Sequence, residues 1–199
     1  MMAKNLSEYN WEIVFVDDGS PDNSAEFLME LCRQDKKCRV VELSRNFGKE
    51  IALSAGVNYA AGDAVICLDA DLQHPPDHVP DMVRKWEEGN EVVEMLRTHS
   101  KHDPWMRRLG SGVFYSILRL LSSTDIIAKT TDFRLMDRKV VDALSKVEER
   151  QRMFRGIIDW LGFRKTSLYF QPGPRKYGDP VYSYAKLINL ALNSFISYS

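Results

Sequence analysis

Asp69 and Asp71 flank a single alanine where the apolar run Val65 to Leu68 breaks off, and Pro75 and Pro76 stop any continuation as a strand. In an extended chain residues i and i+2 point to the same side. The two carboxylates should therefore converge at the strand's C-terminal end while Ala70 faces away. Converging carboxylates repel, and a divalent cation between them relieves the repulsion. Mg²⁺ and Mn²⁺ are held in this way, by one or two carboxylates together with substrate phosphates. A bare Asp-x-Asp also fits a solvated acidic turn, but its place at the end of a buried strand favours the cation. His74 either ligates that cation through its imidazole or is a turn residue.

The elements that must position these groups can be read in order. Trp11 to Val16 is a β-branched strand that ends in the acidic, turn-rich loop Asp17 to Ser24. Ser24 is expected to cap a helix from Ala25 to about Arg33, with Phe27, Leu28 and Leu31 facing inward. A strand over Arg39 to Leu43 leads into Ser44–Lys49, and Glu50 to Ala60 reads as a small-residue helix. After the Val65 strand come a helix from about Asp77 to Glu88 and a strand over Glu91 to Leu96 that delivers Arg97. Such alternation predicts an α/β fold with a mostly parallel sheet flanked by helices, in which ligands bind beyond the carboxyl ends of the strands. Asp17/Asp18, Arg45/Asn46, Asp69/Asp71 and Arg97 all fall at successive strand ends, which favours one site over four solvated turns.

Further along, Pro104 to Ser122 has an amphipathic helical pattern that fits either the core or a lipid surface. Asp125 to Thr130 reads as a loop, Asp137 to Leu144 and Arg152 to Trp160 as helices, and Gly162 to Phe170 as an edge strand. Gln171 to Pro180 is a loop whose Arg175 and Lys176 can close over phosphates. Val181 to Ser199 carries a polar stripe of Lys186, Asn189, Asn193 and Ser197 against an apolar remainder. That pattern suits a membrane interface or a packed domain face.

Composition narrows the classes. The 199 residues suit one domain, and a net charge of −1 gives no electrostatic case for nucleic acid. The three cysteines lack metal-ligand spacing and read as reduced thiols of a cytosolic compartment, with Cys67 a small core residue. Residues 1–10 do not resemble a signal peptide, and no run of 18 apolar residues is present to span a membrane.

Five segments, VDDGSPDNS (16–24), LSRNFGKE (43–50), LDADLQHPP (68–76), TDFRLMDR (131–138) and RMFRG (152–156), together resemble family 2 glycosyltransferases of the GT-A fold. The resemblance is to the branch that loads a sugar onto a membrane polyprenyl phosphate, such as bactoprenol glucosyltransferases and dolichol-phosphate mannose synthases. It implies that Asp17 and Asp18 contact the nucleotide, that Asp69 and Asp71 hold Mg²⁺ or Mn²⁺ with the diphosphate, and that Gln73 lies beside the donor. Arg97, Arg107 and Ser111 match positions that hold donor or acceptor phosphates, with Arg134 and Arg175 expected as further acceptor-phosphate contacts, and Asp132 matches the catalytic base. Pro180 and Val181 stand where the family pattern has serine and lysine, so a lysine contact is not carried over.

The implied reaction takes a sugar, glucose from UDP-glucose by resemblance, to polyprenyl phosphate with inversion. A cation and Arg97 would stabilise charge on the leaving diphosphate. A phosphate monoester, with a second pKa of about 6, is already ionised at neutral pH. Asp132 is therefore expected to orient the acceptor or a basic partner such as Arg134 as much as to take a proton. The expected organisation is a GT-A domain over 1–180, without a recognisable first strand before Trp11, and an amphipathic juxtamembrane helix over 181–199. The resemblance further implies a place at the cytoplasmic face of a membrane and allows a homo-oligomer. The alternatives are a non-catalytic remnant that binds membrane or partners, and a transferase with a saccharide acceptor.

Overall fold

The structure is a computed structural model that describes residues 8–71, 73–98, 130–147 and 154–171. Among the described residues there are six strands and five helices. They are β1 (Ile13–Asp17), α1 (Ser24–Gln34), β2 (Cys38–Glu42), α2 (Lys49–Tyr59), β3 (Ala64–Cys67), α3 (Val79–Glu87), β4 (Val92–Arg97), β5 (Thr130–Asp137), α4 (Arg138–Ser145), α5 (Phe154–Trp160) and β6 (Lys165–Phe170). A single 3₁₀ turn, Pro76–His78, leads into α3.

The α/β class holds, and the sheets are mixed. β1 and β2 form a parallel pair, and a second sheet runs β3-β5-β4-β6. β5 is antiparallel to both β3 and β4, while β6 is parallel to β4 at the sheet's edge. The sequence reading missed β5 because it alternates nothing: Asp132, Phe133, Arg134, Leu135 and Met136 are all buried. A strand covered on both faces carries no amphipathic period, and two charged residues within it disguise the apolar run.

The side-chain period of two sorts β4 and β5 into two cores. Val92 and Met136, opposite each other in register, join Val65, Cys67, Val57, Val140, Leu144, Phe154 and Ile157 beneath α2, α4 and α5. Val93 and Leu135 face the other way, onto Met82, Val79, Met95, Phe133 and Phe170 beneath α3. α2 also packs on β1, and a Cβ at Gly56 would come within 2.9 Å of Val16 Cγ2, so the close approach needs glycine there. Arg138 ties the start of β3 to the end of β5, donating from Nε to Gly62 O at 2.9 Å and from Nη2 to Ala60 O at 2.9 Å. Asp137 caps α4 through Lys139 N (2.9 Å) and accepts Trp86 Nε1 at 2.7 Å.

Local expectations shift in two places. Ser24 is the first residue of α1 rather than its cap; its N–H donates to Asp22 Oδ1 at 3.1 Å, the usual Asx-turn geometry. Phe27 is 71% exposed, because α1 lies on the two-stranded sheet through Ala25 and the half-buried Leu28 and Leu31. Among the described residues no helix is long and apolar enough to cross a membrane. The expected helices over 104–122 and 181–199, the loop over 125–130 apart from its last residue, and the loop over 172–180 lie outside the described residues.

Candidate functional site

β3 ends at Cys67, two residues before Asp69, so Asp69 and Asp71 sit in the turn beyond the strand and not on it. The extended-chain argument for their convergence therefore does not apply. Two hydrogen bonds brace this turn: Asp71 Oδ1 accepts Gln73 N at 3.0 Å, and Asp69 N–H donates to His74 Nδ1 at 3.1 Å. His74 is buried, stacks on Phe133 with ring centroids 5.1 Å apart and meets Phe170 edge-on at 5.8 Å. Burial lowers its pKa against the pull of Asp69. With Nδ1 accepting, the neutral ring carries its proton on Nε2, which lies 3.8 Å from Asp69 Oδ2. Through Nδ1 and its ring stacking, His74 anchors the turn.

The centre of the site is an ion-pair chain across three elements. Lys49, the first residue of α2, places Nζ 2.8 Å from Asp69 Oδ1 and 2.7 Å from Asp132 Oδ2. Arg155, on α5, grips Asp132 in bidentate fashion, Nε to Oδ1 at 2.6 Å and Nη2 to Oδ2 at 2.8 Å. Asp132 is 2% exposed. Burial alone would raise its pKa, but Arg155 and Lys49 outweigh burial and hold the carboxyl far below the ordinary range. Burial likewise opposes the charge on Lys49, and Asp132 and Asp69 overcome it, so its pKa is raised. Glu50, next on α2, is pushed up by burial and accepts Phe154 N at 2.8 Å, which pins the start of α5.

Asp17 uses its carboxylate on its own loop, and Asp18 uses its carboxylate on the loop after β2. Asp17 accepts Ser20 N at 3.1 Å and Ser20 Oγ at 2.5 Å; Asp18 accepts Phe47 N at 2.8 Å and Gly48 N at 2.9 Å. The loop after β1 is thereby locked to the loop after β2. Gly19, at φ +65°, sits so close that a Cβ would lie 2.5 Å from the Arg45 carbonyl carbon. Arg97 emerges at the end of β4 and donates to Gln73 Oε1 at 3.2 Å, which joins the two expected donor contacts directly.

Arg134 shares the Asp132 face of β5 but is closed off from solvent. It is 1% exposed, opposite Cys67 and Glu94 in register, and donates from Nη2 to Thr131 O at 3.0 Å. The basic side chains in direct contact with Asp132 are Lys49 and Arg155. Both stand in quoted motifs, FGKE and RMFRG, but nothing in one sequence says that α2 and α5 converge on β5. Arg107, Ser111 and Arg175 lie outside the described residues. All three cysteines are free; Cys67 is a core residue whose thiol burial pushes up to about 12.

Among the described residues no three His, Cys, Asp or Glu side chains form a complete metal cage. Asp69 and Asp71 nonetheless fit Mg²⁺ or Mn²⁺, which favour carboxylate oxygens and fill their remaining positions with phosphate and water. The ammonium of Lys49 against Asp69 marks the same place as one that draws positive charge.

The sequence profile described as glycosyl transferase family 2 matches residues 2–145. An uncharacterized glycosyltransferase of Synechocystis sp. is 42% identical over 189 residues, covering 95% of this chain and 59% of that protein. A prophage bactoprenol glucosyl transferase homolog of Escherichia coli is 35% identical over 196 residues, covering 98% of this chain and 64% of that protein. The chain thus spans about three fifths of the length of these curated relatives. Glucosyl-3-phosphoglycerate synthase from Mycobacterium tuberculosis, solved with Mn²⁺, UDP-glucose and phosphoglyceric acid, superposes with a TM-score of 0.56 at 16% identity over 98% of this chain and 71% of that one. A mannosyltransferase from Pyrobaculum calidifontis, solved with GDP-mannose and Mn²⁺, gives 0.56 at 18% identity over 99% and 57%. The architecture is GT-A-like, and the chain belongs to glycosyl transferase family 2.

Proposed function

We propose that this chain is the catalytic portion of an enzyme that transfers glucose from UDP-glucose to a polyprenyl phosphate at the cytoplasmic face of a membrane, inverting the anomeric centre. The bactoprenol glucosyl transferases among the relatives support the acceptor class, and UDP-glucose and Mn²⁺ in a structural neighbour support the donor and metal. The observation that carries the reading is the Asp69–Lys49–Asp132–Arg155 chain, which links the proposed donor-metal carboxylate to the proposed acceptor side.

In this reading the loops held by Asp17 and Asp18 receive the nucleoside. Asp69 and Asp71 hold Mg²⁺ or Mn²⁺, which when bound supplies Lewis-acid stabilisation to the departing diphosphate. Arg97, steadied by Gln73, adds a guanidinium on the same side. An acceptor phosphate needs no strong base, and Asp132, held ionised by two cations, is a poor one. Its part is to orient Arg155, held in bidentate fashion, as the cation against which the acceptor phosphate is aligned for in-line attack.

Isothermal titration of UDP-glucose, with and without Mn²⁺, onto this chain and Asp71→Ala tests the donor site. Metal-dependent binding that the variant loses is the expected result. A folded sample that binds neither UDP-glucose nor GDP-mannose refutes it. Incubation with UDP-glucose and undecaprenyl phosphate, with the anomeric configuration read by NMR, tests the rest; a retained anomer overturns inversion.

A further inference from the structure

We propose that Lys49 is the built-in counter-ion of the donor site, shielding Asp69 so that the divalent cation enters with the nucleotide diphosphate and not ahead of it. The inference rests on the donor reading above and adds an order of binding to it.

Three observations carry it. The Lys49 ammonium spans both oxygens of Asp69, at 2.8 and 2.9 Å, so a bare cation must compete with a charge already seated there. Lys49 is also free to leave without stranding its other partner. Its side chain is 40% exposed, and Asp132 keeps the bidentate Arg155 when the ammonium turns away. Finally, the backbone that aims Lys49 is tied to the proposed nucleotide loop. Asp18 receives the N–H groups of Phe47 and Gly48, and Gly48, at φ +97°, turns the chain into α2 immediately before Lys49. Occupation of the 17–20 loop is therefore felt two residues from the lysine. The incoming diphosphate offers the ammonium a new anionic partner while it brings the metal's remaining oxygen ligands.

The test measures Mn²⁺ binding by electron paramagnetic resonance, alone and with saturating UDP, on the unmodified chain, Lys49→Gln and Lys49→Arg. Removing a unit positive charge in contact with the metal-site carboxylate should tighten binding of Mn²⁺ alone on the order of tenfold. The improvement that UDP confers on Mn²⁺ binding should shrink by a similar factor, and Lys49→Arg should behave as the unmodified chain does. A folded Lys49→Gln whose affinity for Mn²⁺ alone is unchanged or weaker overturns the proposal. So does tighter Mn²⁺ binding with the UDP effect intact, since Lys49 would then supply only a background field. Should Lys49→Gln fail to fold, ¹³C-lysine NMR of the unmodified chain decides, with Lys49→Arg assigning the signal. The Lys49 resonance should move with Mg²⁺ plus UDP and stay with Mg²⁺ alone, and a shift with Mg²⁺ alone overturns the idea. If the unmodified chain binds no Mn²⁺ even with UDP, the donor reading itself has failed.

Discussion

Replacing Asp132 by Asn separates a base from an orienting carboxylate. The side chain keeps its shape and one acceptor oxygen but loses the charge that faces Arg155 Nε at 2.6 Å, Arg155 Nη2 at 2.8 Å and Lys49 Nζ at 2.7 Å. Removing one partner of a fully buried pair costs roughly 3–5 kcal/mol. Here the two cations are 37% and 40% exposed and stay partly hydrated, so about 2–3 kcal/mol is the fitting expectation. For a chain of this size that is a fall in Tm of roughly 5–10 °C.

The pH dependence has a definite sign. The folded-state pKa of Asp132 lies below that of the unfolded chain, about 3.9, so its contribution is complete above that value and fades as pH falls below it. The Tm difference between the two proteins should be flat from pH 5 to 8 and should narrow below about pH 4. In turnover, kcat should drop on the order of a hundredfold through misalignment, with the shape of the pH–rate profile unchanged. Differential scanning calorimetry and a pH series of transfer rates read both. An acidic limb between pH 5 and 7 that is present in the unmodified enzyme and absent from Asp132→Asn would refute the reasoning, because it would make Asp132 a titrating base.

Other perturbations act on the loops. Gly19→Ala adds a Cβ within 2.6 Å of two backbone atoms of Arg45 and Asn46 at a φ of +65°. It should cost about 2–4 kcal/mol and raise the KM for UDP-glucose, as measured by thermal denaturation and donor titration. Asp18→Ala unpairs two backbone N–H groups at Phe47 and Gly48, and should weaken donor binding severalfold with a stability loss of only about 1–2 kcal/mol.

The sequence showed the strand ends well and their partners poorly. β1, β3 and β4 announce themselves as apolar runs; Asp17 and Arg97 end β1 and β4, and Asp69 follows two residues beyond β3. Gln73 and Arg97, 24 residues apart, were both named as donor contacts, and they are hydrogen-bonded. β5 was illegible as a strand because burial on both faces erases the period, and Arg134 was misread with it. In a strand flanked by β3 and β4, Arg134 shares the covered face with Asp132 and is enclosed there at 1% exposure. Lys49 and Arg155 could not be found as partners of Asp132 because each meets it only through tertiary packing, of α2 and of α5, on the covered face of β5.

The charges at the site explain why those two residues matter. Asp69, Asp71, Asp132 and Glu50 are four acidic groups, and Lys49, Arg155, Arg97 and Arg134 are four basic ones. A site balanced in this way gains little from a lone divalent cation, which would leave two positive charges uncompensated in a partly desolvated cleft. A nucleotide sugar carries about two negative charges on its diphosphate, so cation and donor together restore the balance that either one alone would upset. Had Lys49 been a neutral residue, the same carboxylates would attract the metal in the absence of substrate. The lysine that begins α2 thus sets what the two aspartates will accept: a metal–diphosphate pair in preference to a metal ion.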